Sequence, residues 1–352
     1  MRKLFSIFFE YLLRKKTPVT LLLQIGSGLI LGAGALATFL IKISLGEYIP
    51  YLSSVEIEYS TVYYYSIPLG VVMILFSMFL IYKDESKISR RIKLALYQSG
   101  LLNVLEENIT SSLTRKTKSN IPIIKIDIHQ YIENNQVKEV DKALEEIDKG
   151  ICRFIDTVKD SQYDSDLYYA GLVSVPFSFY TGMELDDRYD ITVFDYDRES
   201  KAWKEITNKI DFDENLMFSE NKGNKDGNSI VVIACSYPIN YDEIKKSFPE
   251  YPISSIKIKN ININNHWDKQ FHINLQRNFF QLLQALSAKG TKKVHLILAA
   301  QNSVSFNLGR IYDNRNLPEI IVYQYEKGSE RKYPWGIKMK TSGISKAEII
   351  NN

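Results

Sequence analysis

Apolar residues are arranged in two different ways along this chain. Within the first 82 residues they form two long blocks; from residue 121 onward they come in short runs separated by polar turns. Residues 17–41 contain no charged side chain, and neither do residues 59–82. A bilayer crossing needs about 20 apolar residues in a helix, so each block can span once. Lipid gives a backbone no hydrogen-bond partner, which makes a helix the form a lone span must take. The pattern predicts a hairpin over residues 17–83, with spans at about 17–43 and 60–82 and a basic, interfacial segment at residues 1–16 before them.

Residues 84–120 read as a helical connector, charged at first and then leucine-rich, ending in a flexible Ser/Thr/Lys/Asn linker at 108–120. Strands alternate with helices from residue 121. Strands are predicted at 121–128, 167–175 and 191–196, and a helix at 136–159 whose apolar face carries Val140, Ala143, Leu144, Ile147, Ile151 and Ile155. The polar loop 221–228 divides the region. Beyond it come strands at 230–234, 253–258, 294–298 and 320–325, and helices near 241–246, 268–288 and 305–312. Such alternation predicts a mostly parallel sheet with right-handed crossovers. Two series of similar size predict two fused Rossmann-like units over residues 121–352. Neither GxGxxG nor a Walker A sequence is present, so the usual dinucleotide and triphosphate fingerprints are missing.

Charge orients the hairpin. Arg2, Lys3, Arg14, Lys15 and Lys16 precede the first span, and Lys83, Lys87, Arg90, Arg91 and Lys93 follow the second. The connecting segment 46–60 carries Glu47, Glu56 and Glu58 and no Lys or Arg. This bias predicts a multi-pass protein of the inner membrane with both termini cytoplasmic. Gln24 is the one strongly polar side chain inside the spans, which argues against a carrier or pump. Gly28 and Gly32 form a GxxxG pair, suited either to packing on the second span or to self-association.

The net charge of +3 sits largely beside the membrane and offers no case for a DNA groove. Two cysteines, Cys152 and Cys235, suggest no disulfide framework. The four histidines show no metal-ligand spacing with them, so neither a metal nor a resident cofactor is expected.

Ligands of open α/β sheets gather at the carboxyl ends of the strands. That rule selects three segments: Ser174 to Tyr180, with Phe177, Ser178 and Phe179; Cys235 to Pro238, with Ser236 and Tyr237; and Ala299 to Arg310. The third is the richest. Its small residues and helix N-terminus suit a phosphate. Gln301, Asn302 and Ser303 can read base edges or ribose hydroxyls, and Arg310 can grip a phosphate. Asn302 or Ser303 could equally cap the helix, with Arg310 in a surface ion pair. The aromatics Phe177, Phe179, Tyr237 and Phe306 either stack on bases or belong to the core.

The segments VHLILAAQNSVSFNLGR, LPEIIVYQYEKG and YPWGIKM resemble the C-terminal half of a SAVED domain, and LYYAGLVSVPFSFYTGMELDDRYDITVFDYDRESKAWKEI resembles its N-terminal half. The Gly309-Arg310 element with Tyr323 downstream carries the likeness most specifically, and Gln301 stands where the family usually has proline. The resemblance implies two fused CARF-like units that bind a cyclic oligonucleotide, a di- or trinucleotide, in bacterial CBASS antiphage signalling. Behind two transmembrane helices, it implies a membrane effector: ligand binding drives self-association, the spans cluster, and the bilayer fails. The implied partner is a cyclic-oligonucleotide synthase. No catalytic residue is expected, since no Ser–His–Asp order or HExxH is present. The alternative is a membrane-anchored ring nuclease that cleaves the messenger, and a plainer one is a scaffold for a protein partner.

Overall fold

The structure, a computed structural model, describes residues 18–31, 59–89, 91–101, 106–134, 136–160, 164–207, 217–248, 250–341 and 346–352. The chain divides into two compact units, Met1–Arg91 and Ile92–Asn352. The interfacial segment, the end of the first expected span at 32–43 with Gly32, and residues 46–58 of the acidic loop lie outside the described residues.

The N-terminal unit pairs helix α1 (Pro18–Leu31) with helix α2 (Tyr59–Ser89). Within α2, Tyr64–Lys83 is long and apolar enough to cross a membrane; α1 contributes a shorter apolar run, Leu21–Ile30. The helices touch at two glycines. A methyl group on Gly26 would lie 3.0 Å from the Gly70 carbonyl oxygen, and one on Gly70 only 2.7 Å from that of Gly26. Leu23, Ser77 and Ile81 are buried in the same unit, with the Ser77 hydroxyl satisfied by the Met73 carbonyl at 2.7 Å. The intrachain contact therefore falls on Gly26 and not on Gly28, which is exposed and would meet nothing within 4 Å if it carried a methyl group.

The C-terminal unit holds two halves. The first runs β1 (Ile92–Ser99), α3 (Glu106–Thr117), β2 (Ile123–Asp127), the hairpin β3 (Ile132–Glu133) and β4 (Gln136–Val137), α4 (Val140–Lys159), β5 (Ser165–Leu172), α5 (Val175–Leu185), β6 (Ile191–Asp197) and β7 (Ala202–Glu205). Its sheet has the order β2-β1-β5-β6-β7, parallel except for β7. The second half runs β8 (Met217–Glu220), β9 (Asn228–Ala234), α6 (Tyr241–Ser247), β10 (Ile253–Ile258), α7 (Lys269–Ala288), β11 (Lys293–Ala299), α8 (Asn302–Arg310), β12 (Glu319–Gln324), β13 (Trp335–Lys338) and β14 (Glu348–Asn351). Its sheet has the order β14-β13-β12-β11-β9-β10-β8, with β10, β9, β11 and β12 parallel. The expected pair of Rossmann-like units is present.

The connector assignment is corrected. Residues 92–99 are not helical but form β1, paired on both sides with β2 and β5. Leu94 and Leu96 alternate with Ala95 and Tyr97, so the strand buries apolar side chains on both faces, in two different cores. Nor is 108–120 a bare linker: Ile109 and Leu113, one turn apart, bury α3 on the first sheet. The sheet thus begins at residue 92, not 121. The divider also shifts. β8 pairs antiparallel with β10, so residues 221–227 join two strands of the second sheet. The stretch expected as strand to residue 175 stops at Leu172, and Val175 opens the buried helix α5.

Matching hydrogen bonds mark the repeat. In the first half the Gly100 and Leu101 N–H groups both donate to the Leu172 carbonyl, at 3.0 and 2.9 Å. In the second, the Cys235 and Ser236 N–H groups both donate to the Ala299 carbonyl, at 2.9 and 3.1 Å. The helices α5 and α8 cross between the sheets at a second glycine pair. A methyl group on Gly182 would collide with the Phe306 carbonyl, and one on Gly309 with that of Phe179.

Candidate ligand-binding site

Helices α5 and α8 leave equivalent strands, yet their N-terminal ends differ. At α8 the Asn302 side chain, the Ser303 N–H and the Phe306 ring are engaged within the protein, while the Ser303 hydroxyl is buried without a hydrogen-bond partner. The Asn302 side chain accepts from the Val173 N–H at 2.9 Å and donates to its carbonyl at 3.0 Å. The Ser303 N–H donates to the buried Asp195 carboxylate at 3.0 Å, so the positive end of the helix already faces an anion. Ser178 donates to the Asn302 carbonyl at 2.9 Å, and Phe306 stacks on Tyr169 with ring centroids 3.7 Å apart. Phe177 packs beside Trp335, and Phe179 beside Phe279 and Tyr312. All three phenylalanines are fully buried in the core.

Arg310 is turned away from the strand ends. Its Nε donates to the Asp186 carbonyl at 2.9 Å and its Nη2 to the Tyr189 carbonyl, clamping the acidic turn after α5. It borders a groove of about 890 Å³ at the far ends of α5 and α8. Charges there pair internally, as in Lys340 with Glu184 at 2.9 Å and Arg188 with Asp186 at 2.6 Å. The groove lies away from the carboxyl ends of the strands.

At the opposite edge the second half is open. A cavity of about 420 Å³ lies among the ends of β9, β11 and β12, within the size range of small-molecule sites. Ala299 and Ala300 line it with little bulk, and Tyr237, about half exposed, stands beside it. Tyr325 and Tyr333, edge to face at 5.6 Å, form another aromatic wall. Asn240 and Glu243 contribute from the start of α6, and Val175 from the start of α5. All three sequence-selected segments reach this cavity, through Val175, through Tyr237 and Pro238, and through Ala299 and Ala300; of the residues singled out within them only Tyr237 lines it, and Ser174, Ser236 and Gln301 are neighbours in the chain of residues that do.

Gln324 occupies the position equivalent to Asp195: the two lie four residues beyond Ile320, which pairs with Val294, and Ile191, which pairs with Leu167. Its partner position differs. Asp195 faces the Ser303 N–H, but the matching residue of α5 is Pro176, which has no N–H to give. Gln324 Nε2 donates to the Tyr325 carbonyl at 3.0 Å, while its Oε1 is buried without a donor. Burial is the main cause that pushes the Tyr325 and Tyr333 phenols up, with the Glu243 charge adding to it, so both remain protonated donors at neutral pH. Burial likewise pushes the Cys235 thiol up, leaving it inert. Among the described residues no group of three or more metal-ligating side chains could hold an ion.

Sequence reasoning missed Gln324, Tyr325 and Tyr333 because the strand-end rule was applied to three strands and not to β12. It also passed over an internal signal: Ser-Phe-x-x-Gly occurs at 178–182 and again at 305–309, the two halves of the α5–α8 crossing.

The fold defines a module of two fused Rossmann-like halves, one with an open strand edge, preceded in the chain by an apolar helix pair. The chain belongs to the SAVED family, the SMODS-associated sensor domain fused to various effectors, which it matches over residues 150–339. Residues 1–144 match the SAVED-fused 2TM effector domain, a match that reaches past the hairpin into β1, α3 and β2. No curated protein matches the chain. Among solved structures, the Acinetobacter baumannii Cap4 SAVED/CARF-domain containing receptor with the cyclic trinucleotide 2'3'3'-cAAA is similar at 12% identity and a TM-score of 0.47, over 92% of this chain and 77% of that one. The same receptor with 3'3'3'-cAAA gives 12% and 0.47, over 96% and 84%. The Moraxella osloensis Cap4 receptor gives 13% and 0.43, over 81% and 62%.

Proposed function

We propose that this chain is an antiphage membrane effector gated by a cyclic oligonucleotide, a di- or trinucleotide made by a partner synthase. The observation that carries the reading is the open cavity at the strand ends of the second half, in a SAVED domain fused to a two-helix effector. The messenger binds there, loaded sensors associate, and the hairpins cluster until the inner membrane leaks. No bond is broken in this scheme. A ligand shifts such an equilibrium only through its preference for the assembled state, and tenfold is worth about 1.4 kcal/mol per site. Several sites in one assembly multiply that preference.

The hairpin suits this role. Leu69, Val72, Leu75, Phe76 and Phe79 are all exposed on α2, a surface that lipid or another hairpin must cover. Gly26 and Gly70 are consumed within the chain, which leaves the exposed Gly28 for contact between copies. The basic flanks favour cytoplasmic termini, with the acidic loop 46–60 outside. The test is dye release from liposomes carrying the full-length protein. Addition of cyclic di- and trinucleotides should release dye with one ring, and Gly28→Ile should reduce that release without changing affinity. Release without any ring, or none with a ring that binds, would refute the effector mechanism.

A further inference from the structure

We propose that the cavity of the second half receives a nucleobase bearing an exocyclic amino group, selected by the Gln324 Oε1 acceptor, while the phosphates of the ring stay outside. This rests on the cyclic-oligonucleotide reading above.

The chemistry of the walls excludes an anion. Among the described residues lining the cavity none is Lys, Arg or His, and Glu243 brings a carboxylate. Of the two helix starts that line the cavity, α5 carries Pro176 in its first turn, with no N–H to give, and α6 already sends its Asp242 N–H to Asn240 Oδ1 at 2.9 Å. What remains suits a flat, uncharged ring. Tyr237, Tyr325 and Tyr333 offer aromatic surface, and Ala299 and Ala300 leave room beside it. Bases stack on such surfaces whatever their sequence.

Selection among bases then falls to the polar atoms. Gln324 Oε1 is a buried acceptor with no donor, because Pro176 stands where its counterpart in the other half finds an N–H. An unpaired buried acceptor is costly, and a ligand that brings a donor removes the cost. A base without the amino group leaves the acceptor unpaired, so sites built this way discriminate strongly against the missing group.

The test uses the full-length protein in nanodiscs with cyclic di- and trinucleotides of adenine, guanine, cytosine and uracil. The tightest ring is then compared with its counterpart lacking the amino group: purine for adenine, hypoxanthine for guanine, pyrimidin-2-one for cytosine. The wild type should prefer the amino-bearing ring by about tenfold or more. Gln324→Leu should bring the two rings within about twofold, while its ligand-free melting temperature holds or rises because an unpaired acceptor has gone. A uracil ring binding tightest, a wild type indifferent to the amino group, or a Gln324→Leu variant that keeps the preference would each overturn this inference and leave the messenger reading standing. Binding of no ring at all would overturn both.

Discussion

The two halves of the sensor follow the same path and use their strand ends differently. Each sends two successive N–H groups from the end of one strand, β1 or β9, to one carbonyl at the end of its neighbour, β5 or β11. Each then launches a helix whose glycine meets the other's backbone. In the first half that edge is sealed by Asn302 on Val173 and by Asp195 on Ser303. In the second half the corresponding seal is missing, since proline replaces the donor and glutamine the carboxylate, and a cavity is left. One copy of the repeat is plugged and the other keeps a cavity.

The shared part should tolerate least. Gly182→Val and Gly309→Val each drive a side chain into a backbone carbonyl that cannot give way, and each should cost about 4 kcal/mol or more. Thermal melting would show both variants unfolded or nearly so. A well-folded Gly309→Val beside an unfolded Gly182→Val would break the symmetry of the crossing.

Acid should separate the halves. His272 and His295 both belong to the second half, and desolvation lowers each to about 4 from 6.5. The unfolded chain therefore takes up protons first. Stability from these groups is intact above about pH 7 and falls as the pH drops from 6.5 toward 4, by roughly 2 kcal/mol each at pH 5. Hydrogen exchange at pH 7 and pH 5 should show strands β9, β11 and β12 opening before the first sheet; equal protection would contradict this.

The equivalent positions Asp195 and Gln324 give the sharpest contrast. Asp195→Ala leaves the Ser303 N–H buried without an acceptor and should cost about 2 kcal/mol in chemical denaturation. Gln324→Leu should cost nothing. Equal losses would mean that the two edges are held in the same way. Tyr237→Ala, at a half-exposed wall of the open cavity, should change stability by less than about 0.5 kcal/mol. It should weaken ligand binding by about 1–2 kcal/mol if a base stacks there, and calorimetry separates the two effects.

The sequence reveals the repeat through strands and helices that are long and periodic, such as β9 and α4. It conceals β1, whose leucines at 94 and 96 follow a charged stretch directly behind the hairpin and read as a continuing helix. It conceals α5 because nine of its eleven residues are buried, which erases the helical period. The site was harder still. Phe177, Phe179 and Phe306 are aromatic at strand ends, as a base-binding residue would be, yet the helix crossing claims them for the core. Asn302 and Ser303 are polar as a ligand requires, but their partners, Val173 and Asp195, lie more than a hundred residues away. Which strand edge is plugged depends on those long-range bonds, and no local pattern records them.

If the open edge of the second half is the messenger site, filling it must abolish binding. Ala300→Trp tests this from a cavity-lining residue outside the glycine crossing. The measurement is calorimetric titration of the full-length variant in nanodiscs with the cyclic ring that the wild type binds, with melting as the check on folding. The expected result is a folded protein that no longer binds the ring. A folded variant that binds it with unchanged affinity would place the messenger elsewhere.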